Sequence, residues 1–261
     1  MSKLVPRPAA TLILLRDSAA GPEVLMLQRT QNAVFLGGAY VFPGGSLDEA
    51  DADPRILKRI RGEAKVPPAP YWVAAVRECF EEAGVLMGVD AKRAEALVHY
   101  RKRPFAELLE KEDLYVPAQD MAYYGHWITA PGRPRRFDTR FFLARAPEGQ
   151  TPVHDEGETS HSEWVAPLAA IDRCRAGQIS LPPPTWTTLS MLAKFDSLEA
   201  VFDWARRKPI PRVQPRFEKR GDQTLLFYPG DPMYPPVEGF DAADTRFVLE
   251  NRRWRPISID E

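Results

Sequence analysis

Nine consecutive residues, Arg77-Glu78-Cys79-Phe80-Glu81-Glu82-Ala83-Gly84-Val85, constrain the fold more than any other stretch. Trp72, Val73, Val76, Cys79, Phe80 and Ala83 recur at helical spacing. They predict an amphipathic helix over Tyr71–Ala83 that stops at Gly84, a residue free to take the left-handed conformation of a helix end. Glu78, Glu81 and Glu82 stand at i, i+3 and i+4, so their carboxylates share the face opposite the apolar arc. Like charges at that spacing repel by about 0.2–0.5 kcal/mol per pair. Late in a helix the macrodipole disfavours them as well. Either Arg77 and solvent neutralise this face, or a cation sits on it. Oxygen-only donors favour a hard divalent ion, Mg²⁺ or Mn²⁺.

The segments around that helix mix both periodicities. Thr11–Leu15 and Val24–Gln28 predict a strand pair across Asp17–Pro22. Gly37–Gly45 is a short apolar stretch ending in a turn. Residues 52–70 are charged, then proline-rich, and read as an insertion. Two short helices broken near Pro104 are expected over 91–113. Met121–Thr129 and Phe137–Ala146 predict strands; Val165–Gly177, Trp186–Lys194 and Leu198–Arg207 predict helices. The C-terminal fifty residues hold two strand candidates, Thr224–Tyr228 and Thr245–Leu249. Strands and helices without strict alternation place the chain in the α/β (α+β) class as one domain over 1–261. Its core spans about 8–195, with a C-terminal extension over about 209–261.

The 261 residues carry 35 Lys plus Arg against 36 Asp plus Glu, a net charge of -1. That balance argues against a general nucleic-acid binder. Cys79 and Cys174 are too few for a disulfide framework or a four-cysteine zinc site, and read as reduced thiols. His126, His154 and His161 show no metal spacing. No apolar run reaches membrane-spanning length and no secretory leader is visible, so a cytoplasmic protein without a membrane partner is expected.

Arg77–Val85 resembles the second half of the Nudix box: Arg-Glu-apolar-any-Glu-Glu-any-Gly-apolar. The first half of that box is a glycine, five residues, a glutamate and seven residues. Here Gly45 follows Phe42-Pro43-Gly44, Asp51 stands where the box has glutamate, and 25 residues separate Asp51 from Arg77. The chain is thus identified as similar to Nudix hydrolases, with the insertion inside the box. A subset with an insertion there includes peroxisomal coenzyme A diphosphatases. Trp127–Thr129, Arg135–Leu143, Glu158, Glu163–Val165 and Leu181–Thr185 resemble that subset. The upstream coenzyme A signature keeps its spacing through Leu25–Thr30, Val34, Gly38 and Phe42–Gly45, with departures at Leu27, Thr30 and Val34.

The resemblance implies an α/β/α sandwich with a mixed β-sheet and hydrolysis of a nucleoside diphosphate derivative with Mg²⁺ or Mn²⁺ as cofactor. It implies Glu78, Glu81, Glu82 and the Gly44 carbonyl as metal ligands, with Arg77 orienting the acidic side chains. Glu81, Glu82 or Glu158 would serve as general base, with Glu156 and Glu163 as rivals. Arg29, Phe42, Gly45 and Arg136 are the expected substrate contacts. Arg133–Arg136, Arg206–Lys208 and Arg252–Arg255 are basic clusters able to hold a terminal phosphate or simply to solvate the surface. Trp186 fits stacking on an adenine or packing in the core. The implied partner is a small nucleotide, coenzyme A or acyl-coenzyme A foremost and ADP-ribose or a nucleotide sugar next; a homodimer is left open. A non-catalytic nucleotide sensor would have been free to lose the three glutamates. A cap hydrolase would need a basic, aromatic-rich stretch, which is absent.

Overall fold

The computed structural model describes residues 4–31, 36–155, 157–251 and 253–259. Val34, Glu156 and Arg252, named above, lie outside the described residues.

Strand β1 (Arg7–Ser18) is followed by β2 (Gly21–Arg29), β3 (Tyr40–Val41) and β4 (Gly44–Ser46). The insertion is built rather than loose. After a 3₁₀ turn over Glu49–Ala52, it holds helix α1 (Pro54–Leu57) and strand β5 (Ile60–Arg61). Helix α2 (Ala69–Ala83) carries the acidic face, and α3 (Ala91–Leu97) and α4 (Phe105–Lys111) follow it. Next come β6 (Val116–Pro117), β7 (Met121–Ile128), β8 (Phe137–Arg145) and β9 (Thr159–Val165). Helices α5 (Pro167–Arg175), α6 (Pro183–Leu192) and α7 (Leu198–Arg207) precede β10 (Arg212–Val213), β11 (Arg216–Arg220), β12 (Gln223–Phe227), β13 (Arg246–Glu250) and β14 (Arg253–Pro256).

The main sheet is mixed and runs β10-β7-β8-β1-β2-β3, with β4 beside β1 and β9 beside β2. β1 pairs with β8 in parallel and with β2 and β4 in antiparallel fashion. Alternate β1 residues face opposite sides. Leu12 and Leu14 meet α2, α3 and α4, while Ile13 and Leu15 meet α5, α6 and α7. The result is the expected α/β/α sandwich. Ile56 of α1 is buried on the α2 side, so the insertion adds to that core.

β1 changes partner along its length, and this places the site. Its first half pairs with β4, from Ala9 opposite Ser46 to Thr11 opposite Gly44. Its far end pairs with β2, from Leu15 opposite Val24 to Ser18 opposite Gly21. At the handover the Leu12 amide donates to the Pro43 carbonyl at 3.0 Å. A Cβ on Gly44 would stand 2.5 Å from the Ala10 carbonyl oxygen, so the close approach of β4 to β1 requires glycine there.

Helix α2 begins two residues earlier than its periodicity suggests, because Pro70 suits a first turn. It ends with Gly84 in the left-handed conformation, at φ 68°. Three expectations need correction. The helix predicted from Val165 starts at Pro167, because Val165 closes β9, a strand absent from the sequence reading. In Thr159–Val165 only Trp164 and Val165 are large and apolar, so alternation is too weak to register. The helix predicted over Trp186–Lys194 starts at Pro183, within the proline run. The C-terminal residues form four antiparallel strands, β11-β12-β13-β14, rather than two. β11 and β14 are charged edge strands whose single aromatic residues, Phe217 and Trp254, pack together at 5.7 Å between ring centres.

The extension packs against α5, α6 and α7. Leu226, Tyr228 and Phe247 are buried in the same cluster as α5, α6 and α7. Trp186 lies there too, 1% exposed, with its indole N–H donating to Asp244 at 2.8 Å. It is a packing residue, not an exposed stacking platform. Trp186→Phe is expected to cost about 1 kcal/mol through the lost hydrogen bond to a partner that water still reaches. Urea unfolding of both proteins measures it.

Candidate active site

Arg77 organises the acidic face. Its Nε and Nη2 donate to the two oxygens of Asp51 at 2.8 and 2.9 Å. Its Nη1 donates to Glu78 at 2.8 Å and to Glu81 at 2.9 Å. Nη2 also reaches the Ser46 carbonyl at 3.1 Å. Burial alone would lower the Arg77 pKa; the Asp51 hydrogen bonds and the surrounding carboxylates outweigh it and raise it. Asp51, 0% exposed, takes the place of the box glutamate. The shorter acid reaches because the 3₁₀ turn that carries it packs against α2. A reciprocal capping box at Asp48 and Asp51 fixes that turn.

The Gly44–Gly45 turn meets α2 from the other side. The Gly44 amide donates to Glu82 at 2.8 Å. A Cβ on Gly45 would fall 2.5 Å from the Glu78 carboxylate. Gly45→Ala therefore pushes that carboxylate aside, while its flexible side chain lets the fold survive. At least tenfold lower kcat is expected, with unfolding shifted by less than about 1.5 kcal/mol; steady-state kinetics and urea unfolding check it together.

Burial pushes the Glu78 carboxyl up to about 7, against the lowering effect of Arg77. It pushes Glu82 up to about 8, against the lowering effect of the Gly44 amide. Glu81 is raised for the same reason. Asp51, Glu78 and Glu81 share one guanidinium, that of Arg77. Among the described residues, no three His, Cys, Asp or Glu side chains are gathered as a ready metal cage. Glu78 and Glu81 turn to Arg77, and Glu82 to Gly44. The donor set nonetheless fits a hard divalent cation in kind: three oxygen acids on one face, with negative charge in excess of its partner.

A second group of residues approaches Glu82 from β2 and β9. Arg29 lies 3.4 Å from Glu158 through Nη2, and both groups act electrostatically on Glu82. Glu158 is 66% exposed on its side chain, as a residue meeting substrate and water would be. Glu163 is separated from this group. Opposite Met26 on β9, it faces the α5 side and pairs with Arg173 at 2.8 Å. Phe42 is buried in the α5–α7 core, beneath the turn. Arg136 spans the β7–β8 connection and donates to the Thr129 and Leu4 carbonyls.

Two residues near the site escaped the sequence reading. Arg101 donates Nε to the Glu81 carbonyl at 2.9 Å and so caps the last turn of α2. Nothing in its spacing marks it. Asp155 accepts hydrogen bonds from Glu158 and Thr159. An aspartate just ahead of Gly157 is a turn signal that could have found it.

An arginine bracketed by carboxylates, an acidic helix face and the paired Gly44 and Gly45 of β4 thus lie together. The model of the NUDT19 Nudix domain matches residues 58–192, just over half the chain. Acyl-coenzyme A diphosphatase NUDT19 of Homo sapiens is 27% identical over 83% of this chain and 73% of its own length. The protein of the same name from Gallus gallus is 26% identical over 84% and 75%. A solved Nudix hydrolase from Alicyclobacillus acidocaldarius superposes with a TM-score of 0.66 at 27% identity, covering 76% of this chain and 96% of that one. The chain belongs to the NUDT19 Nudix domain family and is a hydrolase. No helix among the described residues is long and apolar enough to cross a membrane.

Proposed function

We propose that the protein hydrolyses the diphosphate of coenzyme A or acyl-coenzyme A with Mg²⁺ or Mn²⁺, giving 3′,5′-ADP and the (acyl-)4′-phosphopantetheine. The observation that carries the reading is the Glu78, Glu81 and Glu82 face, where Glu78 and Glu81 share Arg77 with Asp51 and Glu82 is held by the Gly44 amide. Relatives named acyl-coenzyme A diphosphatase support the choice of substrate.

Glu78, Glu81 and Glu82 would hold the cation, with the Gly44 carbonyl. When bound, the ion supplies charge neutralisation at the diphosphate and a lowered pKa for water. Arg77 keeps Glu78 and Glu81 oriented, and the Gly44 amide keeps Glu82 in place. Glu158 takes the proton of the attacking water. The water oxygen bonds to one phosphorus as the bond from that phosphorus to the bridging oxygen breaks, and the departing phosphate leaves on that oxygen. Arg29, beside Glu158, offers its guanidinium to a phosphate oxygen.

The test is turnover of coenzyme A, acetyl-coenzyme A, ADP-ribose, NADH and a capped dinucleotide side by side, with products resolved by mass. Preferred release of 3′,5′-ADP is expected. Preference for ADP-ribose, or intact coenzyme A, would overturn the substrate assignment.

A further inference from the structure

The loop that carries Glu158 is fastened through Gln150 and Val153 to the end of helix α2 and the residues just after it. The Gln150 side chain accepts from the Leu86 amide at 3.0 Å and donates to the Leu86 and Val89 carbonyls, each at 2.9 Å. The Val153 amide donates to the Ala83 carbonyl at 2.8 Å. That bond and the Arg101 contact to Glu81 satisfy carbonyls in the last turn of α2. Past this point the chain reverses around one side chain. Asp155 Oδ2 accepts from the Glu158 amide at 3.0 Å. Asp155 Oδ1 accepts from the Thr159 amide at 2.9 Å and from its hydroxyl at 2.7 Å. The Glu158 carbonyl in turn accepts from the Thr30 amide at 2.9 Å, next to a bulge at Gln28/Arg29. Those bonds clamp the Glu158 backbone from both sides and leave its carboxylate to Arg29, on the Glu82 side of the site.

We propose that Asp155 is a positioning residue for the reaction, holding the Glu158 carboxylate where the attacking water loses its proton. The proposal rests on the reading of Glu158 as general base. The physical reason is rotational freedom. Glu158 is exposed and its carboxylate meets Arg29 at 3.4 Å, so its reach is set by where its backbone is held. Without Asp155 the Glu158 and Thr159 amides lose their acceptor, and the turn opens. A base displaced by about an ångström can lose on the order of a hundredfold in rate. Asp155 itself is stably ionised: burial raises its pKa, but the Glu158 and Thr159 hydrogen bonds and nearby Arg101 outweigh that and leave it below the ordinary range.

The experiment is a double-mutant cycle read in steady-state kinetics with Mg²⁺ and acetyl-coenzyme A, with thermal unfolding followed in parallel. Asp155→Ala is expected to lower kcat at least tenfold with KM within twofold. Asp155→Asn, which keeps the Oδ1 acceptor that the Glu158 amide also reaches at 3.2 Å, is expected to stay within about threefold of the parent. Glu158→Gln alone is expected to lower kcat by about 10²- to 10⁴-fold. In the Glu158→Gln background Asp155→Ala is expected to add nothing. Unchanged kcat in Asp155→Ala, or an equal loss in both backgrounds, would overturn the positioning role alone. Unchanged kcat in Glu158→Gln would overturn the general-base reading beneath it. Should Asp155→Ala not fold, Asp155→Glu, which shifts the acceptors by one methylene, takes its place under the same criteria.

Discussion

Glu82→Gln is expected to lower kcat by about 10²- to 10⁴-fold while the protein stays folded. Glutamine keeps the shape of the side chain and an oxygen to accept from the Gly44 amide, so the turn and α2 stay joined. The lost group is one negative charge, buried where its ionisation is already disfavoured. Removing it does not weaken the fold. It removes an anionic donor from the proposed cation seat, and metal-assisted displacement there would rely on that charge for several kcal/mol, at about 1.4 kcal/mol per tenfold in rate. The KM for the nucleotide is expected to change much less than kcat. Steady-state kinetics at saturating Mg²⁺ decides it. Full activity in Glu82→Gln would remove this residue from the site.

The second large effect falls on stability. Asp51→Ala is expected to cost about 3–5 kcal/mol, because it leaves the buried Arg77 guanidinium without its two-point partner. Both Asp51 oxygens are engaged by Arg77, and Oδ2 also accepts from the Asp48 amide at 2.8 Å. The change therefore breaks the charge pair and the capped 3₁₀ turn together. Against a total of about 5–15 kcal/mol, it brings the domain close to unfolding at ambient temperature. Guanidinium denaturation measures it through the midpoint. Asp51→Asn, which keeps the volume and one acceptor, is expected to lose less. A midpoint unchanged by Asp51→Ala would contradict the central place given to the Asp51–Arg77 pair.

Much of this was legible in the sequence, for physical reasons that differ from element to element. α2 combines strong amphipathicity with a glycine stop, and both act locally. β1 and β2 are buried on both faces and read as continuous apolar runs. β9 and the outer C-terminal strands were not legible, because their stability comes from pairing with partners distant in sequence. Gly44 and Gly45 meet Glu82 and Glu78 across the insertion. Asp51 fills the acidic position that the box mismatch left open, and only the packing of its turn against α2 reveals how. Phe42, expected at the substrate, lies in the core, and Arg136 ties down the β7–β8 connection. Arg101 acts on a backbone carbonyl of α2, which leaves no mark in the sequence, whereas Asp155 ahead of Gly157 carries only a turn signal.

The most direct measurement is calorimetric titration of Mn²⁺ into the metal-stripped protein and into Glu82→Gln. Saturable binding to the parent, weakened at least tenfold by the substitution, is the predicted result. Binding of equal affinity in both proteins would place the cation elsewhere, and absence of binding in the parent, with nucleotide present or absent, would contradict the reading of the acidic face as a metal site.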